Sequence, residues 1–278
     1  MIDEIIKFAF REDLGSGDHT SLSCVPEDAI GRAKLLVKDE GVIAGIELAE
    51  RIFHYYDPTL KITHFIKDGE KVKHGDIAFE IEGKSRSILA TERLVLNFMQ
   101  RMSAIATQTR TIVESIEGTG VKLLDTRKTT PGIRALEKWA VKIGGGYNHR
   151  FGLYDMIMIK DNHIDYAGGI EKSITNANQY IKDNNLNIKI EIEVRDEKEL
   201  AEVLAVKNVD RIMLDNFSPE LIKSVLPRIP KTIETEASGG ITKENIRGYA
   251  ETGVDYISSG ALTHSAKSMD LSLKAIYS

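Results

Sequence analysis

The sequence predicts an α/β protein in which a strand-rich first part is followed by an atypical, incomplete (β/α) barrel of about six strands. Three observations carry that reading. From Val121 onward short apolar runs alternate with amphipathic stretches of helical length, the pattern of parallel strands covered by helices. Six such runs can be placed, at 121–125, 156–160, 188–194, 209–215, 231–236 and 254–258, fewer than the standard barrel needs. Before them, residues 32–82 read as short strands punctuated by glycine, and 92–118 as one long helical stretch.

Residues 1–14 carry a short amphipathic helix, and Gly15-Ser16-Gly17-Asp18-His19-Thr20 is a turn-rich connection. The segments AKLLVKDEGVIAG and LKITHFIKDGEKVKHGDIAFEIEG follow, with Asp68-Gly69 and His74-Gly75-Asp76 marking hairpin turns. Such hairpins suit a lipoyl-type carrier, but no lysine sits in a tight turn between matched strands, so they are read as structural. Thr91 reads as a helix N-cap with Glu92 in the first turn, and apolar residues at 95, 98, 102, 105, 112 and 116 give the long helix a buried face. After the strand VKLLD, Thr129-Thr130-Pro131 restarts the chain as a helix with proline at its first position. Ile133, Leu136, Ala140 and Ile143 form its inward stripe, and Gly144-Gly145-Gly146 ends it. The run MIMIK then delivers Lys160 to a strand end.

Period-2 alternation assigns faces to the later strands. In IKIEIEV, Ile188, Ile190 and Ile192 share one face while Lys189, Glu191 and Glu193 share the other; in VDRIMLD, Arg211, Met213 and Asp215 fall together. If the isoleucines pack on helices, these charges line the barrel interior, and so many inward ions point to function, because desolvation can exceed what pairing returns. The last two strands end in small residues instead, Ser238-Gly239-Gly240 before a helix expected near Thr242, and Ser259-Gly260. Backbone donors at such turns suit phosphate.

Composition narrows the function. Apolar content of 42% and charged content of 28% are those of a water-soluble globular protein, and no 18-residue apolar run exists to cross a membrane. The opening MIDEIIKFAF is acidic and short in its apolar part for a signal peptide, so a cytoplasmic location is expected. Cys24 is the single cysteine, which excludes an internal disulfide, a zinc ribbon and a thiol pair. A net charge of −5 argues against nucleic acid as the main partner. Within this acidic chain, residues 122–160 hold eight Lys or Arg against three acids, a local charge of +5. Basic charge gathered at strand ends marks a site for a small polyanion.

The groups at these ends suggest a particular chemistry. Arg127 and Lys128 follow one strand, His149 and Arg150 precede the next, and Lys160 ends it, a set suited to a ligand with two carboxylates. Glu193 and Asp215 could hold Mg²⁺ through oxygen, or contact ribose hydroxyls and a developing positive charge. No obvious nucleophile stands among them, so displacement through an oxocarbenium-like state is more natural than a covalent intermediate.

The stretches TRKTTPGIR, GGGYNHRFGLYD and IMIKDNH, with EDLGSGDHTS near the start and SSGALTHS near the end, closely resemble the signature of the quinolinate phosphoribosyltransferases, also called carboxylating nicotinate-nucleotide pyrophosphorylases. The resemblance runs almost end to end. It implies an N-terminal α/β sandwich domain, taken as residues 1–107, then an atypical barrel over 108–278, with a C-terminal helix at 267–278 expected against the first domain. It implies transfer of phosphoribosyl from 5-phosphoribosyl 1-diphosphate to quinolinate with loss of the 2-carboxylate as CO₂, giving nicotinate mononucleotide and diphosphate for NAD biosynthesis, with Mg²⁺ as cofactor and a homodimer or larger assembly. Carried over residue by residue, Arg127, His149, Arg150 and Lys160 would grip quinolinate, joined by Arg93 from a partner subunit. Lys128 would face the diphosphate or ribose, Glu193 and Asp215 would serve ribose and metal, and Ser238, Gly239, Gly240, Ser259 and Gly260 would hold the 5-phosphate. Two alternatives stand beside this: a molybdenum-transport-associated paralogue with another acceptor, and a Schiff-base lyase using Lys160.

Overall fold

The structure, a computed structural model, describes residues 1–276. The chain forms two compact units, one from Met1–Thr111, Thr129–Gly145 and the residues from Leu262 onward, the other from Ile112–Lys128 and Gly146–Ala261. In chain order the first elements are α1 (Ile2–Leu14), α2 (His19–Cys24), β1 (Ile30–Val37), β2 (Gly41–Val42), α3 (Ile46–Tyr56), β3 (Lys61–His64), β4 (Lys71–Val72), β5 (Ile77–Lys84) and α4 (Ser85–Ser115). The second half contributes β6 (Lys122–Leu124), α5 (Arg134–Ile143), β7 (Met156–Ile159), α6 (Asp161–Ala167), α7 (Ile170–Asp183), β8 (Lys189–Val194) and α8 (Glu197–Val206). It ends with β9 (Arg211–Asp215), α9 (Pro219–Val225), β10 (Glu234–Ser238), α10 (Ile246–Ala250), β11 (Tyr256–Ser258), α11 (Ala261–His264) and β12 (Leu271–Ala275).

In the first unit an antiparallel sheet runs in the order β12-β1-β5-β3. Leu35, Val37, Phe79 and Ile81 of its strands are buried with Ile52 and Phe53 of α3, and the Phe53 and Phe79 rings meet edge to face at 5.9 Å. Several expected features differ here. The C-terminal residues form a strand, β12, in place of the helix expected over 267–278, because Leu271 and Leu273 alternate with Ser272 and Lys274 and pair with Val37 and Leu35 of β1; residues 277 and 278 lie outside the described residues. The turns at Asp68-Gly69 and His74-Gly75 exist, but β4 pairs with β2 and β5 with β1 and β3, so neither turn closes a simple hairpin. Asp68 instead accepts the amides of Gly45, Ile46 and Glu47 at 2.6, 2.9 and 3.2 Å, capping α3 from a distant turn. Thr91 is not a cap. Helix α4 starts at Ser85, and the Thr91 hydroxyl donates back to the carbonyls of Ser87 and Ile88 within it.

Helix α5 opens at Arg134 rather than at Pro131. Gly132 has φ +85°, which no helical turn uses, and the Thr130 amide and hydroxyl are both taken by the buried Glu137 carboxylate at 3.0 and 2.9 Å. Arg101 of α4 bonds the same carboxylate at 2.8 and 2.9 Å. The loop is thereby tied down as an irregular segment.

The second unit holds all six expected strands in one parallel sheet, ordered β6-β11-β10-β9-β8-β7. Strands β6 and β7, next to each other in sequence, sit at opposite edges, so among the described residues the sheet does not close into a barrel. Ile190, Ile192 and Val194 of β8 are buried with Ile174 of α7 and Leu200 and Val203 of α8, as alternation requires, which leaves Lys189, Glu191 and Glu193 on the other face. Strand β10 is displaced from 231–236 to Glu234–Ser238, and α10 begins at Ile246 because Thr242–Asn245 make a turn closed by the Thr242 amide on the Asn245 side chain at 2.7 Å. No helix among the described residues is long and apolar enough to cross a membrane.

Candidate active site

Strand register brings the predicted residues to one edge of the second unit. Ser238 of β10 lies opposite Asp215 of β9, Glu193 of β8 opposite Met213, and Ile159 of β7 opposite Ile192, which sets Lys160 beside Glu193. On the other flank Ser258 of β11 faces Leu124 of β6, so Ser259 and the Arg127 turn follow at the same carboxyl edge. Parallel strands present their carboxyl ends on one side, which is where open α/β sheets bind ligands.

At the acidic side of this row the Lys160 ammonium forms an ion pair with Glu193. Burial first, and then the neighbouring Glu193 carboxylate, hold the Asp215 carboxyl above its usual range. Two half-buried acids that repel each other, with oxygen ligands on adjacent strands, fit a hard divalent cation such as Mg²⁺. Asn216 at φ +57° donates its side-chain amide to Asp215 at 2.6 Å. At the small-residue side, Gly239 and Gly240 have φ +86° and +61°, and a Cβ on Gly239 would lie 2.4 Å from the Asn216 side-chain oxygen. The Ser258 hydroxyl donates to that of Ser238 at 3.3 Å. The Ser259 amide is committed to the Leu124 carbonyl, leaving its hydroxyl for a ligand.

The basic side is assembled from two turns. Tyr147 bridges Leu124 beyond β6, and the buried Asp125 carboxylate accepts the His149 amide at 2.8 Å, which seats the segment that carries Arg150. Burial, and then the charge of Arg127, depress Arg150 below the usual guanidinium value. Arg127 is only partly accessible, and its buried Nε has no hydrogen-bond partner among the described residues. Two guanidiniums of which one lowers the other, with an unpartnered donor, could accept an anion, and carboxylates suit the guanidinium fork. Lys128 is exposed, with its amide fixed by the Thr126 hydroxyl at 3.0 Å. An open cleft of about 320 Å³ runs from Arg150 past Met156, Met158 and His163, but does not include the Lys160, Glu193 and Asp215 row.

His149 and Arg93 are placed differently from the rest. The His149 ring turns into the sheet, where Nε2 lies 3.0 Å from Glu191 and 3.3 Å from Glu236, both carboxylates being fully buried. Arg93 belongs to the first unit and is exposed on α4. Sequence reasoning places Glu191 and Arg211 inward without giving them a role, and it misses Glu234, Glu236 and Asp125. The first two could have been found: Glu234, Glu236 and Ser238 alternate as Lys189, Glu191 and Glu193 do.

Comparison with known proteins decides the family. Residues 18–103 match the N-terminal domain and residues 105–274 the C-terminal domain of quinolinate phosphoribosyl transferase. The chain belongs to the quinolinate phosphoribosyltransferase family. A mitochondrial quinolinate phosphoribosyltransferase [decarboxylating] of Nicotiana tabacum is 45% identical over 98% of this chain and 82% of its own. A probable nicotinate-nucleotide pyrophosphorylase [carboxylating] of Bacillus subtilis is 44% identical over 98% of this chain and 92% of its own. The crystal structure of NadC from Streptococcus pyogenes superposes with a TM-score of 0.93 at 40% identity, covering 100% of this chain and 97% of that one. Along this edge the structure places Arg127 and Arg150, then the acids Glu193 and Asp215, and the glycine turn at Gly239 and Gly240.

Proposed function

We propose that this chain transfers the phosphoribosyl group of 5-phosphoribosyl 1-diphosphate to the ring nitrogen of quinolinate, and that nicotinate mononucleotide, diphosphate and CO₂ leave. The observation that carries the reading is the Arg127–Arg150 pair, in which burial and the charge of Arg127 lower Arg150 and the buried Arg127 Nε is unpartnered, set along one strand edge from the Lys160–Glu193 ion pair. Arg127 and Arg150 hold the acceptor's two carboxylates, with Lys160 as a further cation, and so fix the pyridine nitrogen for attack at ribose C1. The C1–O bond to diphosphate breaks as the C1–N bond forms, and Glu193 and Asp215 face the positive charge that develops on the sugar. Gly239, Gly240, Gly260 and the hydroxyls of Ser238 and Ser259 serve the 5-phosphate, and Lys128 the diphosphate. The 2-carboxylate then departs as CO₂, its bonding pair going to ring carbon 2, which takes up a proton.

Mg²⁺ belongs to this reading, held by Glu193 and Asp215 directly or through water; when bound it neutralises charge on the departing diphosphate. A homodimer belongs to it as well, with the partner subunit's Arg93 completing the acid pocket, which a two-fold assembly makes twice. A cytoplasmic location suits a chain whose lone Cys24 is exposed and forms no disulfide. The Schiff-base reading loses ground, since Lys160 is paired with Glu193 rather than held in an apolar pocket. The test is incubation with quinolinate, 5-phosphoribosyl 1-diphosphate and Mg²⁺. Nicotinate mononucleotide and CO₂ should appear in equal amounts, and absence of both would overturn the reading.

A further inference from the structure

Within the first unit one buried ion pair reaches beyond itself to two segments that are distant in sequence. The Glu137 carboxylate of α5 is fully buried, and Arg101 of α4 donates to its Oε1 through Nε at 2.9 Å and through Nη2 at 2.8 Å. Those two bonds pair the charges. The same carboxylate also accepts both donors of Thr130, the amide at Oε2 at 3.0 Å and the hydroxyl at Oε1 at 2.9 Å. Arg101 in turn donates through Nη1 to the Ala266 carbonyl at 3.1 Å and through Nη2 to the Thr263 carbonyl. One ion pair therefore ties the chain at Thr130 and again at Thr263 and Ala266.

Stability by itself is a weak reason for this arrangement. A buried ion pair often costs more than apolar residues of the same volume, and Thr130 is exposed, so water could satisfy both of its donors. What the two tied segments share is the turn each one leaves. Thr130 follows Lys128 by two residues, and Thr263 follows Gly260 by three. Gly132 at φ +85° keeps α5 from starting before Arg134, and the Thr129 hydroxyl accepts Arg134 Nε at 2.9 Å. Side chains, more than a backbone ladder, thus hold the segment that follows Lys128. Residues that bind a substrate in fixed geometry need such support, since a displacement of about 1 Å can cost about a hundredfold.

We propose that Glu137 and Arg101 are positioning residues for 5-phosphoribosyl 1-diphosphate: the pair fixes the chain just past Lys128 and just past Gly260, and so steadies the turns that serve the diphosphate and the 5-phosphate. Neither residue is a contact to the ligand. Glu137 is fully buried, and Arg101 spends its donors on Glu137 and on the two carbonyls. Loosening the pair weakens this substrate more than the acid, because Arg150 and Lys160 stand on other stretches of the chain.

The inference rests on the proposed function only in naming the ligand. Its test compares wild type with Thr130→Ala, Thr130→Ser and Glu137→Gln. Measurements are KM and kcat for each substrate, affinity for 5-phosphoribosyl 1-diphosphate with Mg²⁺ by calorimetry, melting curves, and the rate of tryptic cleavage after Lys128 with no substrate present. Thr130→Ala removes one tie at an exposed position, so it should melt within about 3 °C of wild type. Its KM for 5-phosphoribosyl 1-diphosphate should nevertheless rise about tenfold, while that for quinolinate stays within about twofold. Thr130→Ser restores the hydroxyl and should return to within about twofold of wild type. Glu137→Gln turns one acceptor into a donor and should weaken the same substrate at least as far as Thr130→Ala does. Cleavage after Lys128 should quicken in the alanine and glutamine variants and not in the serine variant. Normal binding of 5-phosphoribosyl 1-diphosphate by Thr130→Ala would overturn the proposal. So would weak binding by Thr130→Ala beside normal binding by Glu137→Gln, which would make Thr130 itself the contact. A parallel fall in melting temperature and in the use of both substrates across all three variants would leave the pair a role in the fold alone, and would overturn it too. Should Glu137→Gln fail to fold, the two Thr130 variants and the cleavage rates decide. Should wild type itself fail to use 5-phosphoribosyl 1-diphosphate, the function fails, while the cleavage rates still judge the positioning.

Discussion

The buried His149–Glu191–Glu236 cluster makes the stability of this protein depend on pH in a particular direction. Burial alone would lower the ring pKa of His149, but the Glu191 and Glu236 carboxylates outweigh it and raise the ring to about 9 from 6.5. Accepting the Arg150 amide at Nδ1 favours the neutral ring and opposes this rise, and the proton on the Nε2 side is one that Glu191, itself raised by burial and by Glu236, can share. A group whose folded pKa lies above its unfolded value stabilises fully below the unfolded pKa and loses that contribution as pH rises through the folded one. A rise from 6.5 to about 9 corresponds to about 3 kcal/mol at low pH, of which about 2 kcal/mol disappears between pH 7 and pH 9. Urea unfolding at pH 6, 7, 8 and 9, comparing wild type with His149→Gln, reads the His149–Glu191–Glu236 cluster as one titrating unit, because only groups distant from it cancel in the difference. The wild-type advantage should shrink by about 2 kcal/mol over pH 7–9. A difference that is flat with pH, or that grows as pH rises, would refute the reasoning.

Three further outcomes are expected. Asp215→Ala or Glu193→Ala should reduce turnover at least about a hundredfold while changing quinolinate affinity little, because the partners proposed for them are ribose, metal and transition-state charge; calorimetry showing quinolinate affinity lost with turnover intact would reverse the assignment. Gly239→Ala should raise KM for 5-phosphoribosyl 1-diphosphate about tenfold or more, since the new methyl meets Asn216 at a backbone angle of +86°; an unchanged KM would remove this turn from the phosphate site. Arg93→Ala and Lys160→Ala should each be nearly inactive, and mixing them after dissociation should restore about a quarter of wild-type activity if the site is shared across a two-fold axis. Inactivity after demonstrated subunit exchange would confine Arg93 to its own chain or to the fold.

What the sequence reveals depends on how locally each feature is encoded. The six parallel strands are legible because each is a short apolar run bounded by turns, and Lys160, Glu193 and Asp215 are legible because a charge that ends such a run points to the strand edge. Element starts are less so. Thr91 has the chemistry of a cap, yet the run from Ser85 onward is already helical and its hydroxyl bonds backward instead. Pro131 suits a helix start, but Glu137 removes that option from a distance of seven residues by taking Thr130. The C-terminal strand was hidden by its brevity, since five residues of LSLKA gain meaning only beside β1. The His149 cluster is the clearest case. Inward direction follows from period-2 alternation, but which inward residues meet depends on cross-strand register and on a segment that reaches in from beyond β6. Neither is written in any one stretch of the chain.

The central claim is that the Arg127–Arg150 pair exists to hold a dicarboxylate. It is tested most directly by the ratio of kcat/KM for quinolinate to that for nicotinate, measured with 5-phosphoribosyl 1-diphosphate and Mg²⁺ in wild type and in Arg150→Ala. A pocket with two opposed guanidiniums leaves one unpaired when nicotinate binds, so wild type should favour quinolinate by about a thousandfold or more, and Arg150→Ala should erase most of that preference by losing quinolinate. Equal use of the two acids by wild type, or a preference that survives intact in Arg150→Ala, would contradict the account.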